Sequence, residues 1–454
     1  MDILKVLSRI IPVVETPRKI LSIEERIKYT LIVLILYFIL GSIPLYGLSK
    51  QALSWLAEFS WIFGGDFGTI ITLGISPIVL AAIILQLFVG GGIIKVDLST
   101  PEGRARYNDL LRSLIIIFII LESVTQVLFG YLKPESPSFI PILILQLFIG
   151  SLLIVILDDF CLKWGITSGI NLFILAAISK SIFVRLFGIE MTSAGYYSGA
   201  VPRLIQFLLV GDIVSTRIPI IQIGVTLLIL ALAAYLQSLR IEIPLTYIRM
   251  RGGIRWPIRF LYTSVIPVIL LFAFWQMIMA FGFFLYRNFG KSVSWLIEVE
   301  GDVVTGGLLS FIYPRSLLID LATGVFNPLN VLKAFTYLLF YMAGGAVLSY
   351  MWVHAAGMDP SSLARQIQSS GFSIFGYRDP RLLERTLSRY IIPASILGGA
   401  AVGFLAAIAN IFGAVARGTA LLLVVMIVYN LYEDFARQNA LHLLPLLGKW
   451  ITKQ

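Results

Sequence analysis

Runs of about twenty apolar residues recur along the chain, separated only by short polar stretches, and no other feature restricts its fold so severely. One of them, "ITLGISPIVLAAIILQLFVG" from Ile71 to Gly90, is typical. About 20 residues rising 1.5 Å each span roughly 30 Å, the thickness of a bilayer's hydrocarbon core. Of the 454 residues, 58% are hydrophobic and 13% charged, where a soluble domain carries about 25% charged residues. The chain is therefore expected to be an all-α integral membrane protein. The spans fall near residues 27–48, 69–90, 110–131, 140–159, 166–188, 219–239, 259–284, 330–353, 390–412 and 418–436. Basic residues concentrate on one side if both termini are cytoplasmic, as positive-inside orientation requires. Five spans in each half, 27–190 and 219–436, joined by an external loop at 191–218, would place the halves upside down relative to each other. Residues 1–26 form an interfacial amphipathic segment carrying Ile3, Leu4, Leu7, Ile10 and Ile11, with no cleavable signal peptide. Residues 437–454 form a cytoplasmic tail, and 284–327 an external packed loop.

Much chemistry is excluded. The single Cys161 allows no internal disulfide, and His354 and His442 make no metal-ligand set. No metal or other cofactor is expected. The nearest approach to a phosphate loop, "NFGKS" at Asn288–Ser292, lacks the first glycine. The spans hold no paired acids and no nucleophile with a base, so the chain does not read as an enzyme. Ionisable residues at membrane depth are few: Glu122, Lys180 and, near a span end, Asp158 and Asp159. An ion-coupled secondary transporter with inverted repeats is the alternative on architecture, but it needs a compact polar site at its broken helices. Here the break offers isoleucines.

That break is Gly74, Ser76 and Pro77, which read as a kink, as do Pro267 and Pro393. The run "ILGGAAVGFLAAIANIFGA", Ile396–Ala414, permits close helix packing. Two long cytoplasmic segments, 240–258 and 354–389, carry several arginines each. They either mark orientation or meet a polyanion. Gly252–Gly253 in the first and Gly376–Pro380 in the second read as hairpin tips.

"TLGISPIVLAAIILQLFVGGGIIKVDLSTPEGR" (Thr72–Arg104), "KWGITSGINLFILA" (Lys163–Ala176), "RIEIPLTYIRMRG" with "YTSVIPVIL", and "GTALLLVVMIVYNLYE" together resemble the SecY family, in its archaeal and eukaryotic branch. These are the large subunits of the protein-conducting channel, and the resemblance covers nearly the whole chain. It implies two inverted five-helix halves around a central pore that passes unfolded polypeptides and releases membrane segments sideways into lipid. A membrane insertase that never conducts would share that sideways gate. The resemblance implies a pore ring of Ile75, Val79, Ile170, Ile174, Leu423 and Ile269, with Ile266 the alternative to Ile269. Such an apolar constriction excludes ions because they lose hydration without replacement ligands. A re-entrant plug helix falls on residues 52–66, with Trp55, Leu56, Phe59, Trp61, Ile62 and Phe63. The lateral gate carries Pro77, Leu80, Glu122, Gln276 and Met277, where Leu80 and Met277 stand at positions that are polar in relatives. Arg240, Arg249, Arg251, Arg255, Arg365, Arg378 and Arg381 would dock the ribosome, although Glu242 replaces a residue often basic in the family. The implied partners are a SecE-like gamma subunit, a small beta-type subunit, ribosomal RNA, signal sequences and nascent chains, and membrane lipids. The implied location is an archaeal-type plasma membrane.

Overall fold

Glycine, proline and capping residues decide where each apolar run becomes helix. In the computed structural model the described residues are 11–19, 21–49, 66–90, 93–94, 96, 100–128, 132–192, 195–247, 253–263, 266–300, 303–314, 316–324, 327–369, 372–374 and 380–451. Helix α1 (Ile23–Leu40) opens on a capping box: Glu25 N donates to Ser22 Oγ at 3.3 Å and Ser22 N to Glu25 Oε2 at 2.9 Å. It ends at Leu40, capped by Gly41 and eight residues before the expected span end at 48, because the chain turns there and pairs elsewhere. Leu45 N bonds Gly68 O at 2.9 Å and Ile70 N bonds Ile43 O at 3.0 Å.

Helix α2 (Ser76–Gly90) likewise starts later than the expected 69. Gly74 takes φ +52°, a left-handed value that favours glycine, and a series of turns precedes it. The Ile75 carbonyl accepts the first helical bond, from Val79 N at 3.0 Å. Pro77 is thus the second residue of the helix, where its missing N–H would have had no intrahelical partner. The expected kink at Pro77 is not there. Pro267 sits equally early in α8, and only Pro393 lies inside a helix as expected, joined by Pro219 in α7.

The remaining helices are α3 (Pro101–Leu128), α4 (Ile140–Trp164), α5 (Gly169–Phe187), α6 (Ala200–Val210) and α7 (Ile213–Ser238). Strands β1 (Arg240–Tyr247) and β2 (Gly253–Arg259) precede α8 (Ile266–Phe289). The short hairpin β3 (Glu298–Glu300) and β4 (Val303–Gly306) and helix α9 (Leu318–Thr323) follow. Then come α10 (Pro328–Ala355), α11 (Pro360–Ser369), β5 (Phe372–Ile374), α12 (Pro380–Ile411) and α13 (Gly418–Ile451). Among the described residues eight helices are long and apolar enough to cross a membrane, namely α3, α4, α5, α7, α8, α10, α12 and α13. The expected tail beyond 436 continues α13 as helix to Ile451.

Two compact units divide the chain, one of Met1–Ser181 with Ile427–Gln454, the other of Ile182–Met426. In the first, α2 packs on α3 and α4 packs on α1 and α3, with Leu45, Leu73, Val127, Leu132, Leu143 and Leu147 sharing a buried cluster. Gly150 lets the Ile70 carbonyl lie against α4, where a Cβ would overlap it. In the second unit, α10 and α12 are the most closely packed pair. The glycine-rich run of α12 finds its partner there: Gly345 lies against Gly399, and Gly403 against the Tyr341 carbonyl. A buried hydroxyl chain joins them, from Thr263 Oγ1 to Ser349 Oγ at 2.6 Å and from Ser349 Oγ to the Ser395 carbonyl at 2.6 Å.

Candidate functional site

The apolar ring candidates share one local property: each lies at the start of its helix or within its first two turns. Ile75 caps α2, Val79 follows one turn later, Ile170 and Ile174 are the second and sixth residues of α5, Ile266 and Ile269 the first and fourth of α8, and Leu423 the sixth of α13. Residues four apart on a helix share a face, so 75 with 79 and 170 with 174 each present two branched side chains together. Ile75, Ile174 and Leu423 are buried, while Val79, Ile170, Ile266 and Ile269 are half-buried. Nothing in these side chains can coordinate an ion.

The first unit also holds one side of the gate candidates. Pro77 is buried and Leu80 half-buried on α2. The Ser76 side chain hydrogen-bonds the Glu122 carboxylate and so links α2 to α3. Glu122 Oε1 and, one turn on, Gln126 Oε1 are buried and have no hydrogen-bond partner among the described residues. From sequence Ser76 reads only as part of the break beside Pro77, not as a partner of Glu122, and Gln126 is not singled out, although its spacing of four from Glu122 carries the signal. In the second unit Gln276 is half-buried and Met277 is 63% exposed on α8.

The plug residues Trp55, Leu56, Phe59, Trp61, Ile62 and Phe63 lie outside the described residues, as does Ala52–Gly65 as a whole. What is described is where that segment leaves and returns. Residues 43–45 pair with 68–70, so its two ends stand side by side. Asp66 at the return forms an ion pair with Lys180 at 2.8 Å, and its carbonyl accepts from Thr69 Oγ1 at 2.6 Å. The lysine at membrane depth thus has a partner that periodicity could not have supplied.

Basic residues gather on a sheet whose two segments read from sequence as separate hairpins. β1 and β2 form an antiparallel hairpin with Arg240 opposite Arg259 and Pro244 opposite Arg255. β5, from the other arginine-rich segment, adds to the free edge of β1, with Thr246 opposite Ser373. The two segments therefore share one three-stranded sheet. Ile258 of β2 also packs with Val353, Ala364, Ile367, Leu383, Leu387 and Ile391, which fastens the sheet to α10, α11 and α12. Arg365 on α11 donates to Ser362 Oγ at 3.3 Å, and Arg381 is exposed at the start of α12. Arg249, Arg251 and Arg378 lie outside the described residues. Arg259 was missed from sequence because its place opposite Arg240 follows from strand register alone.

Outside the spans, Tyr262 Oη donates to the Met358 carbonyl at 3.0 Å, and burial, with Asp359 nearby, pushes its hydroxyl up to about 12. Burial would raise Asp359, but hydrogen bonds from Ser361 and Ser362 outweigh it and hold this carboxyl below the usual range. Among the described residues no cluster of His, Cys, Asp and Glu could hold a metal ion.

A family model described as SecY matches residues 69–432, and one described as the plug domain of Sec61p matches residues 35–68. The protein translocase subunit SecY of Archaeoglobus fulgidus is 37% identical over 98% of this chain and 97% of its own length. A solved structure of a protein-conducting channel superposes with a TM-score of 0.76 at 36% identity, covering 96% of this chain and 98% of that one. Sec61 in the canine ribosome-channel complex from the endoplasmic reticulum gives a TM-score of 0.74 at 35% identity, covering 96% and 97%.

Proposed function

The chain belongs to the SecY family of protein translocase subunits, and from that premise we propose that it is the central pore subunit of a protein-conducting channel, passing unfolded polypeptides across a membrane and releasing apolar segments sideways into lipid. The observation that carries this reading is a family match across residues 69–432 whose helices present only aliphatic side chains at the ring positions. Ile75, Val79, Ile170, Ile174, Ile269 (or Ile266) and Leu423 form the constriction, which blocks ions by denying them ligands and lets diverse side chains pass because it binds none strongly. Residues 52–66 form the plug, in keeping with the plug-domain match. Ser76, Pro77, Leu80, Glu122, Gln276 and Met277 line the gate. Segments leaving through it partition by side chain, a central Leu or Ile contributing about −0.3 to −0.6 kcal/mol and a central Arg, Lys or Asp costing about 2.5 to 3.5 kcal/mol.

The arginines at 240, 249, 251, 255, 365, 378 and 381 meet ribosomal RNA on the cytoplasmic side, a reading supported by the ribosome-bound relative. The complete channel adds a SecE-like gamma subunit and a small beta-type subunit in the plasma membrane, with both termini of this chain cytoplasmic. Relatives that are translocase subunits and protein-conducting channels leave the secondary-transporter alternative without support. The test is a stalled secretory chain with photo-crosslinkers placed at Ile75, Ile170 and Leu423. Crosslinks to the nascent chain at all three are expected; crosslinks only from lipid-facing control sites such as Leu145 would refute the assignment.

A further inference from the structure

We propose that Asp158 is a positioning residue for the apolar seal, fixing where Ile170 and Ile174 stand by capping the first turn of α5. This rests on the reading of those isoleucines as part of the constriction. Asp158 lies two turns before the end of α4, and its Oδ1 accepts from Ile170 N at 2.9 Å. A helix start leaves its first N–H groups without intrahelical partners, and a carboxylate placed there satisfies one while facing the positive end of the helix dipole. The capped amide belongs to a ring residue itself. Gly169 presses on the same point: a Cβ there would stand 2.6 Å from Asp158 Cα, so the glycine is what lets α5 come this close to α4.

The turn between the two helices is held from its other side as well. Ile166 N donates to Thr30 Oγ1 at 3.2 Å, and Arg26 Nη1 donates to the Gly165 carbonyl at 3.4 Å, both from α1. Asp159 faces elsewhere, bonding Lys163 Nζ at 2.8 Å and Val14 N at 3.0 Å. Of the two adjacent acids, Asp158 is the one that touches α5. Beside the turn lies a cavity of about 450 Å³ lined in part by Thr167, Ser168 and Asn171, room into which the start of α5 can shift once its cap is lost.

The experiment is resting ion conductance of the reconstituted channel complex, read alongside its acceptance of secretory chains with defective signal sequences. Asp158→Ala should raise the resting leak about fivefold, the population change that loss of one helix cap produces. Asp158→Asn keeps the Oδ1 acceptor and should stay near the parent level. Gly169→Ala perturbs the same junction from the backbone side, and should leak even if Asp158→Ala accumulates too poorly to assay. A silent Asp158→Ala, or Asn leaking as much as Ala, overturns the proposal. Ile170→Gly separates the two ideas: if it leaks and Asp158→Ala does not, the constriction stands and the cap fails. If Ile170→Gly is also silent, the constriction reading falls and takes the proposal with it.

Discussion

Two residues change meaning once their place in the fold is known. In the apolar run from Ile71, Pro77 suggests a flexible joint, yet in the structure it begins α2, where a fixed φ suits the first turn. Pro77→Ala should therefore cost only about 0.4–1 kcal/mol, through a less restricted unfolded chain. Unfolding in detergent measures this, and a changed gating threshold would revive the joint. Asp359 is the second case. It precedes α11, and its Oδ2 accepts from Ser362 N at 3.2 Å. Its carboxyl lies below the usual range in the folded protein, so the stability it supplies is complete above the unfolded value of about 3.9 and is lost as pH falls through the folded value. The protection of the Ser362 and Leu363 amides, taken relative to an unstructured chain at the same pH, should be complete at neutral pH and fall once pH drops below about 3.9. Asp359→Ala should weaken the protection of these amides at neutral pH by the equivalent of about 1 kcal/mol, and the difference from the parent should vanish as pH falls through the folded value. Exchange indifferent to both changes would show that α11 does not depend on its cap.

At the scale of elements, the sheet β2-β1-β5 is the feature with most consequence for binding. Two arginine-rich segments tethered independently would each pay orientation entropy on meeting a polyanion; held in one sheet, the second binds at high effective concentration. Alternate residues of an antiparallel strand turn their N–H groups to opposite edges, so of Phe372→Pro and Ser373→Pro one removes an N–H that faces β1. That variant should weaken ribosome binding at least about tenfold with every arginine intact. Equal affinity for both variants and the parent would show the segments act separately. The helices were legible because an apolar run of about twenty residues is a local signal, and the packing of Ile396–Ala414 was legible because small residues have few other uses in a span. The joining of β1 to β5 was not, since it pairs residues more than a hundred positions apart and β5 is three residues long. Helix starts were misplaced for a related reason: hydropathy does not register the turns that end at Gly74.

For the whole molecule, the legible part of the site was its chemistry and the hidden part its support. Aliphatic candidates for the ring and surplus arginines are visible in the chain, while Asp158 over Ile170, Lys180 with Asp66 and Ser76 with Glu122 each join separate elements of the fold. A net charge of +10 describes a molecule attracted to anions in general; in the proposed function, selection of a nucleic acid rests on the clustering of arginines on one platform. Each phosphate neutralised releases counterions, so the logarithm of ribosome affinity should fall linearly with the logarithm of salt concentration, by about 0.7 to 0.9 per contact. Replacing Arg365 and Arg381 together by Gln should flatten that slope by about two contacts, while passage of a chain already engaged in the pore is unchanged. Binding measured by co-sedimentation from low to moderate salt, with Arg185 as a control lying on α5, decides the matter. An unaltered slope would detach these arginines from the ribosome and leave them as markers of orientation; a slope equally flattened by the Arg185 control would mean that total charge, not the platform, sets affinity.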